Sequence, residues 1–210
     1  MNALLKFVGV VAFAAGLTAA PALAQTKLTV PGGSTTGTYM DYMKTVYARA
    51  SGSELLQEPL TSFDNEYELT PLAATSWEQS SDGLTWTFHL REGMKWSDGE
   101  PVKASDYVFA LQHAATSGYD FAWYWSFAGG IKGWDDVTGG KADVSTLGLG
   151  APDDQTLTVT TNAPKPYLPG VVSLWYPVPK HQFDKFGDDW STNVENVVSS
   201  GPFLLKSWEK

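Results

Sequence analysis

Leu84, Trp86, Phe88 and Leu90 alternate along the chain with Thr85, Thr87 and His89. A period of two sends successive side chains to opposite faces, so this segment is predicted to be a strand with one buried and one polar face. Ser81-Asp82-Gly83 before it has turn chemistry, and Trp77 to Leu90 therefore reads as a hairpin. Leu157 and Val159 repeat the alternation after a Pro152-Asp153-Asp154 turn. Lys27 to Val30 and Pro202 to Trp208 read as two further short strands.

Helical spacing appears elsewhere. From Tyr39 to Ala50 the apolar positions are 39, 40, 43, 46, 47 and 50, with Gly52 as a stop. Ser105 can cap a second helix that runs to about Thr116, with Ala104, Val108, Leu111 and Ala115 on one face. Lys180 to Phe186 reads as a short helix ended by Gly187, preceded by an extended Pro177-Val178-Pro179 because each proline biases its predecessor away from helix. Strands and helices interleave, which predicts a mixed α/β fold.

The chain has 210 residues, enough for one or two domains. Its start reads as a leader: Lys6, an apolar run from Phe7 to Leu17, and Ala22-Leu23-Ala24 as a cleavage site, so residues 1–24 are predicted to be a signal peptide cleaved after Ala24. That apolar run is too short to be a spanning helix. The absence of cysteine excludes disulfides, thiolate metal sites, cysteine nucleophiles and the lipid-anchoring cysteine of bacterial lipoproteins. An exported, unanchored, periplasmic protein is the expectation. A net charge of −9 argues against nucleic acid or an anionic membrane surface as partner, since both need clustered Lys and Arg.

Catalytic chemistry finds no support in the residues. His89, His113 and His181 show no ligand spacing, and Asp135-Asp136, Asp153-Asp154 and Asp188-Asp189 lie in turn-like sequence where Asp bonds its own backbone. No phosphate loop or nucleophile elbow occurs, and Gly148-Leu149-Gly150 is too little to count. No metal, cofactor or catalytic residue is assigned. Aromatics are the remaining resource, with nine Trp in the chain. Trp77, Trp86 and Trp96 fit core positions of the hairpin region. Trp123, Tyr124 and Trp125 are consecutive, so they cannot all face inward, and at least one should be exposed or line a cleft. Such rings suit peptide or sugar recognition.

Leu69-Thr70-Pro71-Leu72-Ala73-Ala74-Thr75-Ser76-Trp77 and the run from Ser81-Asp82-Gly83 through Trp96-Ser97-Asp98-Gly99-Glu100-Pro101-Val102 resemble the hallmark stretch of the family 5 extracellular solute-binding proteins, the oligopeptide- and dipeptide-binding receptors of ABC importers. Pro177-Val178-Pro179-Lys180, Phe186-Gly187-Asp188-Asp189-Trp190 and Ser200-Gly201-Pro202-Phe203-Leu204-Leu205-Lys206-Ser207-Trp208 resemble later landmarks in the family's order. Two departures stand out. Tyr39-Met40-Asp41 takes the place of the family's Leu-Asp-Pro, and Lys103 that of the Ser or Thr N-cap before Ala104-Ser105-Asp106.

The resemblance implies a two-lobed α/β receptor, a type II periplasmic binding protein (cluster C-like), of which this chain would hold the mixed-sheet first lobe and its small subdomain. Residues 58–179 would be that subdomain, and 25–57 and 180–210 parts of lobe one. The second lobe, and with it the acidic residue that meets a peptide's amino terminus, would be missing. The cleft-lining positions it implies are Thr45 and Tyr47, Trp123 and Tyr124, and Val172 or its neighbour Trp175. The expected partners are a peptide or other small solute and an ABC permease in the inner membrane. The alternatives are an oligosaccharide receptor of the same fold, or a secreted hydrolase or carbohydrate-binding module.

Overall fold

The computed structural model describes residues 37–208. The predicted signal peptide and the predicted strand at Lys27 to Val30 lie outside the described residues.

Alternation along the chain produces the sheet. β3 (Ala74–Gln79) and β4 (Thr85–Leu90) form the expected hairpin. At its tip Gly83 adopts φ 73°, a left-handed conformation that favours glycine, while Asp82 Oδ1 accepts the Leu84 N–H at 3.0 Å. β6 (Thr156–Thr160) pairs with the other edge of β4, and β5 (Leu149–Gly150) with β6. The four-stranded order is β3-β4-β6-β5, and every neighbouring pair is antiparallel. A separate antiparallel ribbon joins β1 (Thr61–Phe63) and β2 (Leu69–Pro71). Trp86, Phe88 and Leu90 on β4 and Leu157 and Val159 on β6 are buried, while Thr85, Thr87 and His89 are only half-buried, as the period of two requires.

α1 (Ala104–Thr116) lies against β5 and β6 and contributes Tyr107, Ala110, Leu111 and Ala114 to the same core. It starts two residues earlier than a Ser105 cap would place it. Lys103, not Ser105, is the N-cap, and the Lys103 N–H donates to Asp106 Oδ2 at 3.0 Å. Asp106 at the third helical position thus supplies the half of a capping box that reaches back to the N-cap N–H. The buried carboxylate also accepts Trp96 Nε1–H at 3.2 Å, which ties the turn before α1 to the helix. Short elements follow: α2 (Ala122–Tyr124), a π-helical turn over Trp125–Gly129, α3 (Trp134–Thr138) and α4 (Leu168–Val171). α5 (Lys180–Phe186) is the helix expected there, and Gly187 ends it at φ 58°.

Two predicted elements are absent. Residues 39–50 carry helical spacing but form turns, closed by a bridge between Tyr39 and Arg49. Asp41 Oδ1 captures the Met43 N–H at 2.7 Å, and other backbone donors of this segment are taken by a distant carboxylate. Side-chain acceptors outcompete the helical ladder here. Residues 202–208, expected as a strand, carry no strand pairing. Leu205 and Trp208 instead pack with Val197 on a small separate cluster of Met40, Ala50 and Leu56.

Candidate functional site

α1 ends at Thr116, and Gly118 at φ 72° redirects the chain so that Asp120 faces residues 45–47. One Asp120 oxygen accepts the Val46 N–H at 2.8 Å; the other accepts the Thr45 hydroxyl and, at 3.3 Å, the Tyr47 N–H. Thr45 Oγ1 in turn accepts the Ala48 N–H at 3.0 Å. The carboxylate thereby acts as a clip between two chain segments. It leaves the Tyr47 ring 69% exposed, edge-on to Phe121 at 6.5 Å between centroids.

Phe121 is the hub of the aromatic segment. Tyr124 stacks on it at 5.1 Å, and Trp123 meets it edge-on at 4.7 Å. The short helical turn of α2 then sorts its neighbours. Trp123 is 56% exposed, Trp125 is buried, and Tyr124 is half-buried with its hydroxyl donating to the Val171 carbonyl at 3.1 Å. Burial pushes the Tyr124 phenol up to about 12, so it stays a neutral donor. This division matches the expectation that three consecutive rings cannot all turn inward.

Four of the six expected cleft positions therefore converge: Thr45 and Tyr47 on one segment, Trp123 and Tyr124 on the other, joined through Asp120 and Phe121. Thr45 is buried and already committed to Asp120, so Tyr47 and Trp123 are the exposed members. Val172 and Trp175 are fully buried. Trp175 donates Nε1–H to the Tyr107 carbonyl at 2.7 Å and packs against Trp125 at 5.8 Å, so it supports the ridge from behind. Asp120 and Phe121 had not been singled out from sequence. An acid between Tyr119 and a run of aromatics is a weak local signal, because its partners are about 75 residues earlier in the chain.

Beside this ridge, Tyr42 stacks obliquely on Tyr176 at 4.5 Å, with the Arg49 guanidinium 4.7 Å over the Tyr42 ring and 2.6 Å from Glu54. A groove of about 620 Å³ opens along Glu54, Glu58, Arg91, Tyr176 and Ser200. Arg91 and Glu58 form a two-pronged ion pair at 2.8 and 3.1 Å within it. Gln57 also borders the groove, but its amide nitrogen and oxygen are sealed from solvent and lack partners.

Among the described residues, no three His, Cys, Asp or Glu side chains are grouped to hold a metal ion. The histidines go separate ways: His89 lies 3.5 Å from Glu78, His181 2.9 Å from Asp98, and His113 is buried between Asp41 and Asp188. Gly148 and Gly150 have a packing role. A Cβ on either would sit 2.5 Å from the Thr160 carbonyl oxygen or 2.6 Å from Thr158 Oγ1.

Comparison with known proteins gives this geometry its context. The chain is 41% identical over 161 residues to the periplasmic oligopeptide-binding protein OppA of Salmonella typhimurium, an alignment covering 73% of this chain and 28% of OppA. It is 40% identical over 158 residues to the probable deoxycholate-binding periplasmic protein YgiS of Escherichia coli, covering 73% and 29% respectively. The crystal structure of Haemophilus influenzae OppA in complex with RPPGFSPFR superposes with a TM-score of 0.75 at 33% identity, covering 83% of this chain and 35% of that one. The chain thus spans about a third or less of the relatives it matches. Residues 68–210 match the bacterial extracellular solute-binding proteins, family 5, and the chain belongs to that family.

Proposed function

We propose that these residues form one wall of a ligand cleft in a periplasmic solute receptor that delivers peptides to an ABC permease, with no chemical step of its own. The observation that carries this reading is the exposed pair of rings, Tyr47 and Trp123, held in register by Asp120 and Phe121 on a chain of this family. Large, stiff aromatic faces supply contact area at low entropic cost, and the peptide itself is fixed by main-chain hydrogen bonds. Thr45 and Tyr124 shape the wall, and Val172 and Trp175 back it.

The domain reading follows the same lines. The cluster of Met40, Ala50, Leu56, Val197, Leu205 and Trp208 draws only on 25–57 and 180–210, which supports assigning those stretches to lobe one and 58–179 to the subdomain. Residues 1–24 serve as the signal peptide. Closure on ligand requires two rigid bodies about a hinge, so grip depends on an opposing lobe. The relatives' greater length supports a longer parent protein.

Tryptophan fluorescence titration of the two-lobed protein tests the reading, with RPPGFSPFR as the peptide probe and deoxycholate and cello-oligosaccharides as competing probes. Saturable change with the peptide is expected. Response to deoxycholate alone would move the assignment to an amphipathic acid such as the Escherichia coli relative is named for, and response to sugar alone would move it to an oligosaccharide receptor.

A further inference from the structure

His113, on α1, is 8% exposed, and its Nε2 makes no hydrogen bond. The same atom lies 3.8 Å from Asp41 Oδ2, which is also buried without a partner, and 3.8 Å from Asp188 Oδ1. The other Asp188 oxygen pairs with Lys44 Nζ at 2.8 Å. Phe109 stacks on the imidazole, and Phe183 of α5 meets it edge-on at 4.8 Å, so water has little access. Asp41 is 2% exposed, and it begins the same segment that carries Thr45 and Tyr47.

The charge arithmetic of this pocket is unusual. With Asp41 and Asp188 ionised, Lys44 charged and His113 neutral, the cluster carries one net negative charge, at a site where Asp41 and His113 are buried and Asp188 reaches solvent. One added proton, on either Asp41 or His113, makes it neutral. A second makes it positive. Burial penalises both charged extremes, so the one-proton state is favoured over a broad range.

We propose that Asp41 and His113 share a single proton, and that this proton is the latch holding residues 38–50 against α1 and the Gly187–Ser191 turn. Its link to ligand binding rests on the reading of Thr45 and Tyr47 given above. The docking contact it protects is the Met40 N–H, which donates to the Ser191 carbonyl at 2.8 Å. Burial, reinforced by the Asp188 charge, pushes Asp41 up to about 7, and burial pulls His113 down to about 4. Because Asp41 Oδ2 and His113 Nε2 stand 3.8 Å apart with little water between them, each also feels the other's charge, and the two protons come off as steps of the pair. The other groups facing the pair are few. Lys44 comes from the same segment, Asp188 and the Trp190 indole from the Gly187–Ser191 turn, and the neutral Tyr119 from the turn after α1. α5 presents the Phe183 ring, while its Lys180 and Asp184 pair with each other at 2.6 Å.

The test needs no ligand, so its failure is separable from failure of the receptor reading. In protein carrying ¹³C-labelled histidine, with signals assigned through His89→Gln and His181→Gln, the His113 ring should shift in two steps, one below pH ~5 and one near pH 7. A single step near pH ~6.5, the behaviour of a solvated imidazole, would overturn the proposal. The second measurement is amide exchange at Met40, corrected for its intrinsic pH dependence. Protection should fall about tenfold or more between pH 6 and 9 in the unmutated protein and hold in Asp41→Asn, which mimics the protonated acid. An equal fall in both would overturn the latch. If Asp41→Asn does not fold, the histidine titration alone decides.

Discussion

Asp120 accepts the Thr45 hydroxyl and two successive backbone N–H groups, Val46 and Tyr47, from a segment about 75 residues earlier. The relationship makes one carboxylate responsible for the position of an exposed ring it does not touch. Asp120→Ala should strand those donors and cost about 1–2 kcal/mol in urea unfolding. It should also free the Tyr47 ring, raising the apparent Kd for peptide several-fold, whereas Asp120→Asn, which keeps one acceptor, should fall between. Unchanged stability and affinity in Asp120→Ala would show that the clip is idle.

Trp123 and Trp175 separate recognition from packing. Trp123→Ala removes a ring that is more than half exposed, so stability should change by less than about 0.5 kcal/mol while peptide affinity drops about tenfold. Trp175→Ala empties a fully buried site and removes the indole donor to the Tyr107 carbonyl, so it should cost about 3–5 kcal/mol. Thermal unfolding and peptide titration of both variants would distinguish the roles.

Asp106 gives a pH dependence with a definite sign. Burial holds its carboxyl above the usual value, against the hydrogen bonds from Lys103 and Trp96. A carboxyl whose pKa is higher folded than unfolded binds more protons in the native state. Its contribution therefore favours folding below the unfolded value of ~4 and is lost as pH rises through the folded value. Asp106→Asn should flatten that part of the stability curve while keeping the cap. Asp106→Ala should cost about 2–3 kcal/mol at every pH, because the buried Trp96 Nε1–H loses its acceptor.

Gly148 is a close-approach glycine. A Cβ there would press on the Thr160 carbonyl oxygen and the Lys132 side chain, where β5 leaves the edge of β6. Gly148→Ala should destabilise by about 1–3 kcal/mol. Gly140→Ala, where nothing lies within contact but φ is 69°, should cost less, about 1 kcal/mol. Denaturant midpoints of the two variants would order them.

Legibility in the sequence followed the range of the interactions. The hairpin, β6, α1 and α5 were readable because a local period and a local stop, such as Gly83 or Gly187, determine them. The 39–50 segment was misread as a helix because Asp41 and Asp120 capture its backbone donors, and the second of these comes from far along the chain. That at least one of Trp123, Tyr124 and Trp125 would be exposed was foreseeable because the three are consecutive. Which ring would be exposed depended on Phe121, Trp175 and Val171, whose arrangement only the folded chain supplies. Family resemblance implied six cleft positions but did not distinguish Tyr47, which faces solvent, from Val172, which does not.

The most direct measurement is calorimetric titration of RPPGFSPFR into the protein carrying its second lobe, beside the same titration into residues 25–210 alone. Saturable binding is predicted for the two-lobed protein, weakened about tenfold by Trp123→Ala and at least about a hundredfold when the opposing lobe is absent. Equal affinity for both forms, or hydrolysis of the peptide during the titration, would contradict the account.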